Sequence, residues 1–546
     1  MAIDPRRFRR RLTEQHVQTW KALTVAVAAV VAQAAPVVSH AQVQGPGNAG
    51  APRDAWRFTP SIGLDETWSD NINLAPAGSA RSDFVTTISP SLRLTRYGPR
   101  LTVNFVYNPQ LLYYARGSYG SQLRNNLAAI ANAALIENLL FFDARVSVTQ
   151  TNVSPFGTLA ADSVNGSANR AESRSYSLGP TLRSHFGKDL SYSAGYHYTG
   201  SSANNNAYAA NHSTAAFAEI ESGTTYADVG YGADVSRSDQ TYGSAGQIVQ
   251  ETAGATLTYV LTPTIHLRGR LGYDRNSYPT TGQPDLKGPS YSGGFDWNPS
   301  QHTQFSAQVG HRYFGPTANI SLRESTNRFS VAARYIRDQT TSSGAGLALV
   351  ADPNYALLDQ YFRASITDPA LRAVAVTNAL QQAGLSTSPF GTTNFLSNQL
   401  YLQKTAQLSL ALLGLRNTVT LDATRSESQA LSAITTGFDV FNQATKFRTT
   451  SYTANWSHKL GPRTSANFTA SKIHNQAILG SGDTRQRRLT ASVNRQIQRN
   501  LTGTVMVRNT TQSGANFGNG VNNLGGNFSS GSYRENAVLG SLRLTF

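Results

Sequence analysis

Arginine and aspartate recur at alternate positions along this chain, on what would be one face of extended segments. Arg93, Arg145, Arg183, Arg268, Arg270, Arg312, Arg334 and Arg543 fall on the same face as Asp143, Asp228, Asp234, Asp274, Asp296 and Asp422. A guanidinium presents a planar fork that pairs with carboxylate or phosphate. Two chemistries follow. One is an electropositive path for an acidic polysaccharide; the other is an Arg–Asp lattice reaching across a wide lumen and stiffening it. Eight cations against six anions is close to balance, which favours the lattice.

Signals for catalysis are weak. His185, His197, His212, His266, His302 and His311 lie on different segments, with no HExxH, GxSxG or P-loop spacing. His311 and Arg312, near a segment end, come closest to a rim site for chemistry on lipid or glycan, and no enzyme is expected. The chain has no cysteine, which excludes thiol nucleophiles, Cys-ligated metals and disulfide scaffolds. No cofactor or metal is expected. The arginines are dispersed, so the net charge of +16 is not a nucleic-acid footprint.

The elements that would position these residues are strands. From Trp56 onward the hydrophobic period is two. Leu101, Val103, Phe105 and Tyr107 alternate with Thr102 and Asn104; Leu140, Phe142, Ala144, Val146 and Val148 alternate with Asp143, Arg145 and Ser147. Leu190 to Tyr198 and Ile265 to Tyr273 repeat the pattern. Such runs match the ~9–11 residues that a tilted strand needs to cross a bilayer. Short turns such as Gly187-Lys188-Asp189 and Gly461-Pro462 alternate with longer polar connections near 69–81, 115–121, 151–171, 200–206, 237–246, 275–286, 341–393, 425–441, 475–483 and 511–531, and with one tight exception at Gly315-Pro316. Short turns on one side and long loops on the other describe a transmembrane antiparallel up-and-down β-barrel. The count predicts an all-β fold of about 22 strands over residues 56–546, with both ends on the periplasmic side. Only closure leaves no backbone group unpaired in lipid.

Residues 1–41 read as a secretory signal peptide: Arg6 to Arg11 and Lys21 precede an apolar run from Ala22 to Val38, with cleavage expected after Ala41. Residues 42–55 would be a short periplasmic lead-in, with no room for the N-terminal plug domain of a TonB-dependent receptor. At the other end Val538, Gly540, Leu542, Leu544 and Phe546 share one face, the signal expected to be read by the outer-membrane barrel assembly machinery. The period changes once. Asp368-Pro369 reads as a helix start and Gly384 as a stop, so 341–393 should hold a helical loop or plug, about 345–390.

Phe295-Asp296-Trp297-Asn298-Pro299-Ser300, Val309-Gly310-His311-Arg312-Tyr313-Phe314-Gly315 and Tyr335-Ile336-Arg337-Asp338-Gln339-Thr340-Thr341-Ser342 stand close together in the chain. These three segments resemble the outer-membrane β-barrel family associated with PEP-CTERM/exosortase systems and exopolysaccharide loci of Gram-negative bacteria. Ser69-Asp70-Asn71-Ile72 and Ile88-Ser89-Pro90-Ser91-Leu92 are similar too. The resemblance implies a setting in the cell outer membrane but brings no catalytic residues. The leading expectation is a conduit or export component for an extracellular glycan, with outer-membrane lipid, acidic polysaccharide and periplasmic export proteins as partners. The alternatives are an anchoring barrel without a through-channel and, last, a barrel enzyme.

Overall fold

The computed structural model describes residues 55–546 apart from 205–207, 224–227, 243–245, 280–285, 327, 343–394, 434–438 and 515–531. The expected signal peptide, most of the lead-in and the expected helical insertion lie outside the described residues.

Alternation is realised as one antiparallel sheet closed on itself. Its strands begin with β1 (Arg57–Ser69), β2 (Asp83–Tyr97), β3 (Leu101–Tyr107), β4 (Gln110–Tyr114), β5 (Gln122–Arg124) and β6 (Leu127–Ile136). They continue with β7 (Leu140–Asn152), β8 (Arg170–Phe186), β9 (Leu190–Ala203), β10 (Asn211–Ser222), β11 (Val229–Thr241), β12 (Gln247–Thr262) and β13 (Ile265–Ser277). Then follow β14 (Lys287–Trp297), β15 (Thr303–Arg312), β16 (Gly315–Ser325), β17 (Phe329–Thr340), β18 (Tyr401–Leu413) and β19 (Asn417–Ala430). The last are β20 (Lys446–Gly461), β21 (Thr464–Leu479), β22 (Asp483–Gln496), β23 (Leu501–Gly514) and β24 (Tyr533–Thr545). A single turn of helix, α1 (Val440–Gln443), stands between β19 and β20.

Two of these staves are interrupted. β2 pairs with both β3 and β4, β3 pairs with β6 and β4 with β5. Asn108 and Pro109 separate β3 from β4, and proline has no N–H for the ladder. β3 and β4 together therefore form one barrel strand and β5 and β6 the next, so the 24 segments make 22 staves. Closure comes from β1, which pairs with β24 from Ser61–Thr545 to Ser69–Ala537. The barrel has the expected strand number.

Several strands run further than the pattern implies. Residues 237–241, 275–277, 425–430 and 475–479 extend strands instead of opening loops, and only 480–482 connect β21 to β22. Polar pairs continue the ladder beyond the apolar band: Arg237 meets Glu251 across β11 and β12 at 2.7 Å, and Thr449 bonds Asn475 across β20 and β21 at 2.8 Å. Outside hydrocarbon such strands need no apolar face, so hydropathy cannot mark their ends.

The apolar face points away from the barrel axis: Leu271 is 72% exposed, and Phe58, Tyr231, Tyr291 and Val505 are similarly open. Buried side chains instead gather at the long-loop end of the lumen, in four clusters centred on Phe156, Ile72, Tyr242 and Val153.

Candidate functional site

The connection between β7 and β8, residues 153–169, folds inward. Asn169 closes it on itself, its carboxamide accepting from Ser154 N–H (2.8 Å) and donating to Ser154 O (2.8 Å). Gly157 is required at this point, because a Cβ there would lie 2.5 Å from Asn169 Cγ. The hairpin then reaches the last strands of the barrel. Gln486 Nε2 and Tyr533 O–H both donate to Leu159 O at 2.6 Å, and Leu159 N–H donates to Gln512 Oε1 at 3.0 Å. Thr484 O–H donates to Phe156 O (2.9 Å) and Asn475 Nδ2 to Pro155 O (2.6 Å).

Charges lock the far side of the loop. Arg508 on β23 binds Asp162 of the loop and Glu535 of β24, the latter at 2.9 Å. Glu535 also accepts from Asn165 Nδ2 (2.7 Å) and Ser69 O–H (2.9 Å) and is wholly buried. Burial opposes ionisation of Asp162, but the adjacent Arg508 charge holds its carboxyl below the usual range.

A second inward segment meets the loop tip. Phe156 packs with Phe395, Tyr401, Val440, Phe441 and Phe447, the Phe156 and Phe447 rings edge-on at 5.7 Å. Asp439 caps α1 by accepting from Phe441 N–H (2.9 Å) and also holds Ser397 and Asn398 N–H (2.7 Å). Burial raises the Asp439 pKa to about 6. Leu400 continues across to Tyr242, Ile248 and Tyr278. Two of the chain's own connections thus fold into the outer end of the lumen and rest on residues of β12, β18 and β20–β24.

Below this closure the wall carries the alternating arginines. Arg270 pairs with Asp234 at 2.6 Å, Arg312 with Asp274 at 2.8 Å, and Arg268 with Asp296 at 3.6 Å. These pairs run along the wall, to an adjacent strand or over one strand to the next, and none of the three crosses the lumen. Arg183 lies over the Phe141 ring at 3.9 Å. Arg543 stands near Gly63, and Asp143 accepts from Thr181 O–H (3.0 Å). Arg93 sits opposite Val106 and Thr59, Arg145 opposite Ile130 and Ser177, and Arg334 opposite Ser321 and Gln407, all on the inward face. Asp422 accepts from Ser409 O–H at 2.6 Å.

Three expectations are corrected. Asp228 precedes β11 in a short turn and is exposed, so it is no part of the wall. Within 151–171, residues 153–169 are not a plain polar surface connection but fold inward onto β21–β24. His311 and Arg312 cannot share a rim site: His311 stacks on outward Tyr291 (5.7 Å) while Arg312 faces Asp274 inside. Adjacent strand residues point to opposite faces. Leu542, Leu544 and Phe546 share the outward face of the closing seam, where Phe546 N–H bonds Pro60 O at 3.0 Å.

Pattern reading passed over Arg508, Glu535 and Asp162. A usable signal was present: Pro155, Phe156, Leu159 and Val164 make 153–169 more apolar than a solvated loop requires.

No family model and no curated protein matches this chain. Among solved structures, it is similar to the siderophore receptor PirA from Acinetobacter baumannii, at 10% identity and a TM-score of 0.45 over 90% of this chain and 80% of that one. It is also similar to the ferric-catecholate import receptor Fiu from E. coli K12 (9%, 0.46, 90% and 82%) and the FrpB iron transporter from Neisseria meningitidis (10%, 0.44, 89% and 82%).

Twenty-two paired staves, an outward apolar face and a polar lumen define the class: the chain is an outer-membrane β-barrel. It resides in the Gram-negative outer membrane. Within that class it is a barrel whose β7–β8 connection folds inward and is seated on β21–β24.

Proposed function

We propose that this barrel is a gated conduit for an acidic extracellular polysaccharide. The seat of the 153–169 loop carries the reading. It consists mainly of hydrogen bonds and the Asp162–Arg508–Glu535 ion cluster, groups that water can replace when the loop leaves, whereas a permanent floor would be apolar. The inner vestibule supplies arginines whose partners are neighbouring aspartates, so an acidic chain can exchange for them without net charge burial. The cargo class rests on the resemblance to barrels of exopolysaccharide loci with PEP-CTERM sorting.

An anchoring barrel without a path is the second reading, favoured by the aromatic clamp of Phe156, Phe395, Phe441 and Phe447 on the loop tip. Polysaccharide in the periplasm and in the medium, compared between the parent strain and a deletion strain, separates them. Glycan trapped in the periplasm is the expected result. Normal release with glycan shed from the cell surface would support anchoring, and no change in either pool would remove the glycan reading.

A further inference from the structure

The outward face of β18–β22 combines a hollow with unbalanced charge. Register places Leu410, Leu421, Ala454, Ala470 and Leu489 in one row across these strands. In the next row toward the long loops, Lys472 stands directly opposite Arg487. Because Ala423, Ala454 and Ala470 are small, a hollow of about 730 Å³ opens among Leu408, Tyr452 and Leu489, with Lys472 and Arg487 at its edge.

The cations here outnumber the acids that could neutralise them. Glu427 is shared by Lys404, Lys446 and Arg448 at 3.1, 3.0 and 3.1 Å, and Asp483 by Arg485 and His474. Arg425, Lys472 and Arg487 have no carboxylate partner among the described residues, and all three are exposed. On the far wall Arg237 is instead matched by Asp239 (2.9 Å) and Glu251 (2.7 Å).

Position makes the imbalance consequential. On β22 only Leu489, Ala491 and Val493 face outward between Arg487 and Arg495, whereas β13 presents Ile265, Leu267, Leu271 and Tyr273 outward, with Gly269 between them. The cations therefore border a shortened apolar band. Charge on a lipid-facing wall is costly in proportion to depth unless an anion accompanies it.

We propose that this patch binds a phosphorylated glycolipid of the outer leaflet, its phosphate held by Lys472 and Arg487 and one acyl chain lying in the hollow over Ala454 and Ala470. A phosphate can accept from both side chains at once, and the apolar floor begins one row below them. The inference concerns the outer wall and is independent of what passes through the lumen.

The test is titration of the purified, detergent-solubilised barrel with diphosphoryl lipid A, read by native mass spectrometry. The double variant Lys472→Gln/Arg487→Gln should bind at least tenfold more weakly, while Arg237→Gln on the far wall binds as the parent does. Ala470→Leu fills the hollow without changing charge, so it should also lose about tenfold and tests the proposal even if the double variant does not fold. Unchanged affinity in both variants would overturn the assignment. Inorganic pyrophosphate or phosphatidylglycerol binding as tightly as lipid A would also overturn it, since the site would then read phosphate alone or any anionic lipid.

Discussion

Arg270 reaches Asp234 over Gly254 of the intervening strand, at 2.6 Å from Nη2 to the carboxylate. A Cβ at Gly254 would stand 2.4 Å from that same nitrogen. The glycine is therefore the gap through which two staves are tied across a third.

Substitution there should separate charge from stability. The obstructing atom is the tip of a flexible side chain in a partly solvated lumen, so Gly254→Val should cost less than about 1 kcal/mol in urea unfolding from vesicles. It should also unpair Arg270 and Asp234 together, so net charge in the vestibule is unchanged. In a barrel opened by loop replacement, ion preference should therefore stay that of the parent. A stability loss of several kcal/mol would show that the wall depends on this tie.

The buried cluster behaves differently. Glu535→Ala removes the carboxylate that holds Arg508, Asn165 and Ser69 and leaves a buried guanidinium with Asp162 as its carboxylate partner and a long bond to Asn165. Breaking one partner of a buried pair costs roughly 3–5 kcal/mol. We expect proteolysis within 153–169 in the variant and not in the parent. Equal protection in both would mean that the loop is held by its aromatic tip.

How far the sequence was legible follows from which forces leave a local trace. Lipid on one side and a wet lumen on the other impose strict alternation, so Leu267, Leu271 and Tyr273 could be assigned to a face from their spacing, and 22 strands could be counted. Contacts made at long range leave no such period. Leu159 meets Gln512 and Tyr533 across more than 350 positions, and no spacing rule relates them. Likewise, alternation could place Arg270 and Asp234 on the inward face, but only the register shows that the lattice runs along the wall.

Asp439 should make the folded connection around it tighten in acid and loosen as pH rises. Its carboxyl is raised to about 6 in the folded chain from an ordinary value near 3.8. The folded state thus binds the proton more tightly, and its stabilising effect is full below the ordinary value and lost as pH rises through about 6. Amide exchange at Ser397 and Asn398 should therefore be slowest near pH 4, after correction for intrinsic rates. In Asp439→Asn the corrected rates should be flat over that range; a slope equal to the parent's would place the titrating group elsewhere.

At the seam, deletion of Phe546 removes the outward terminal aromatic and one hydrogen bond to Pro60 but none of the β1–β24 ladder from Ser61 to Ser69. Insertion by purified barrel assembly machinery should slow severalfold, with the inserted barrel as resistant to urea as the parent. Unchanged insertion with a weakened barrel would make Phe546 a structural residue only.

Planar-bilayer conductance reads out whether the 153–169 connection closes the lumen. The parent barrel should be silent or nearly so, and replacement of 155–166 by a short Gly-Ser linker should produce long-lived conductance that an acidic polysaccharide blocks from the vestibule side. A parent that conducts steadily, or a loop-replaced barrel that stays silent, would show that this connection is not what closes the lumen.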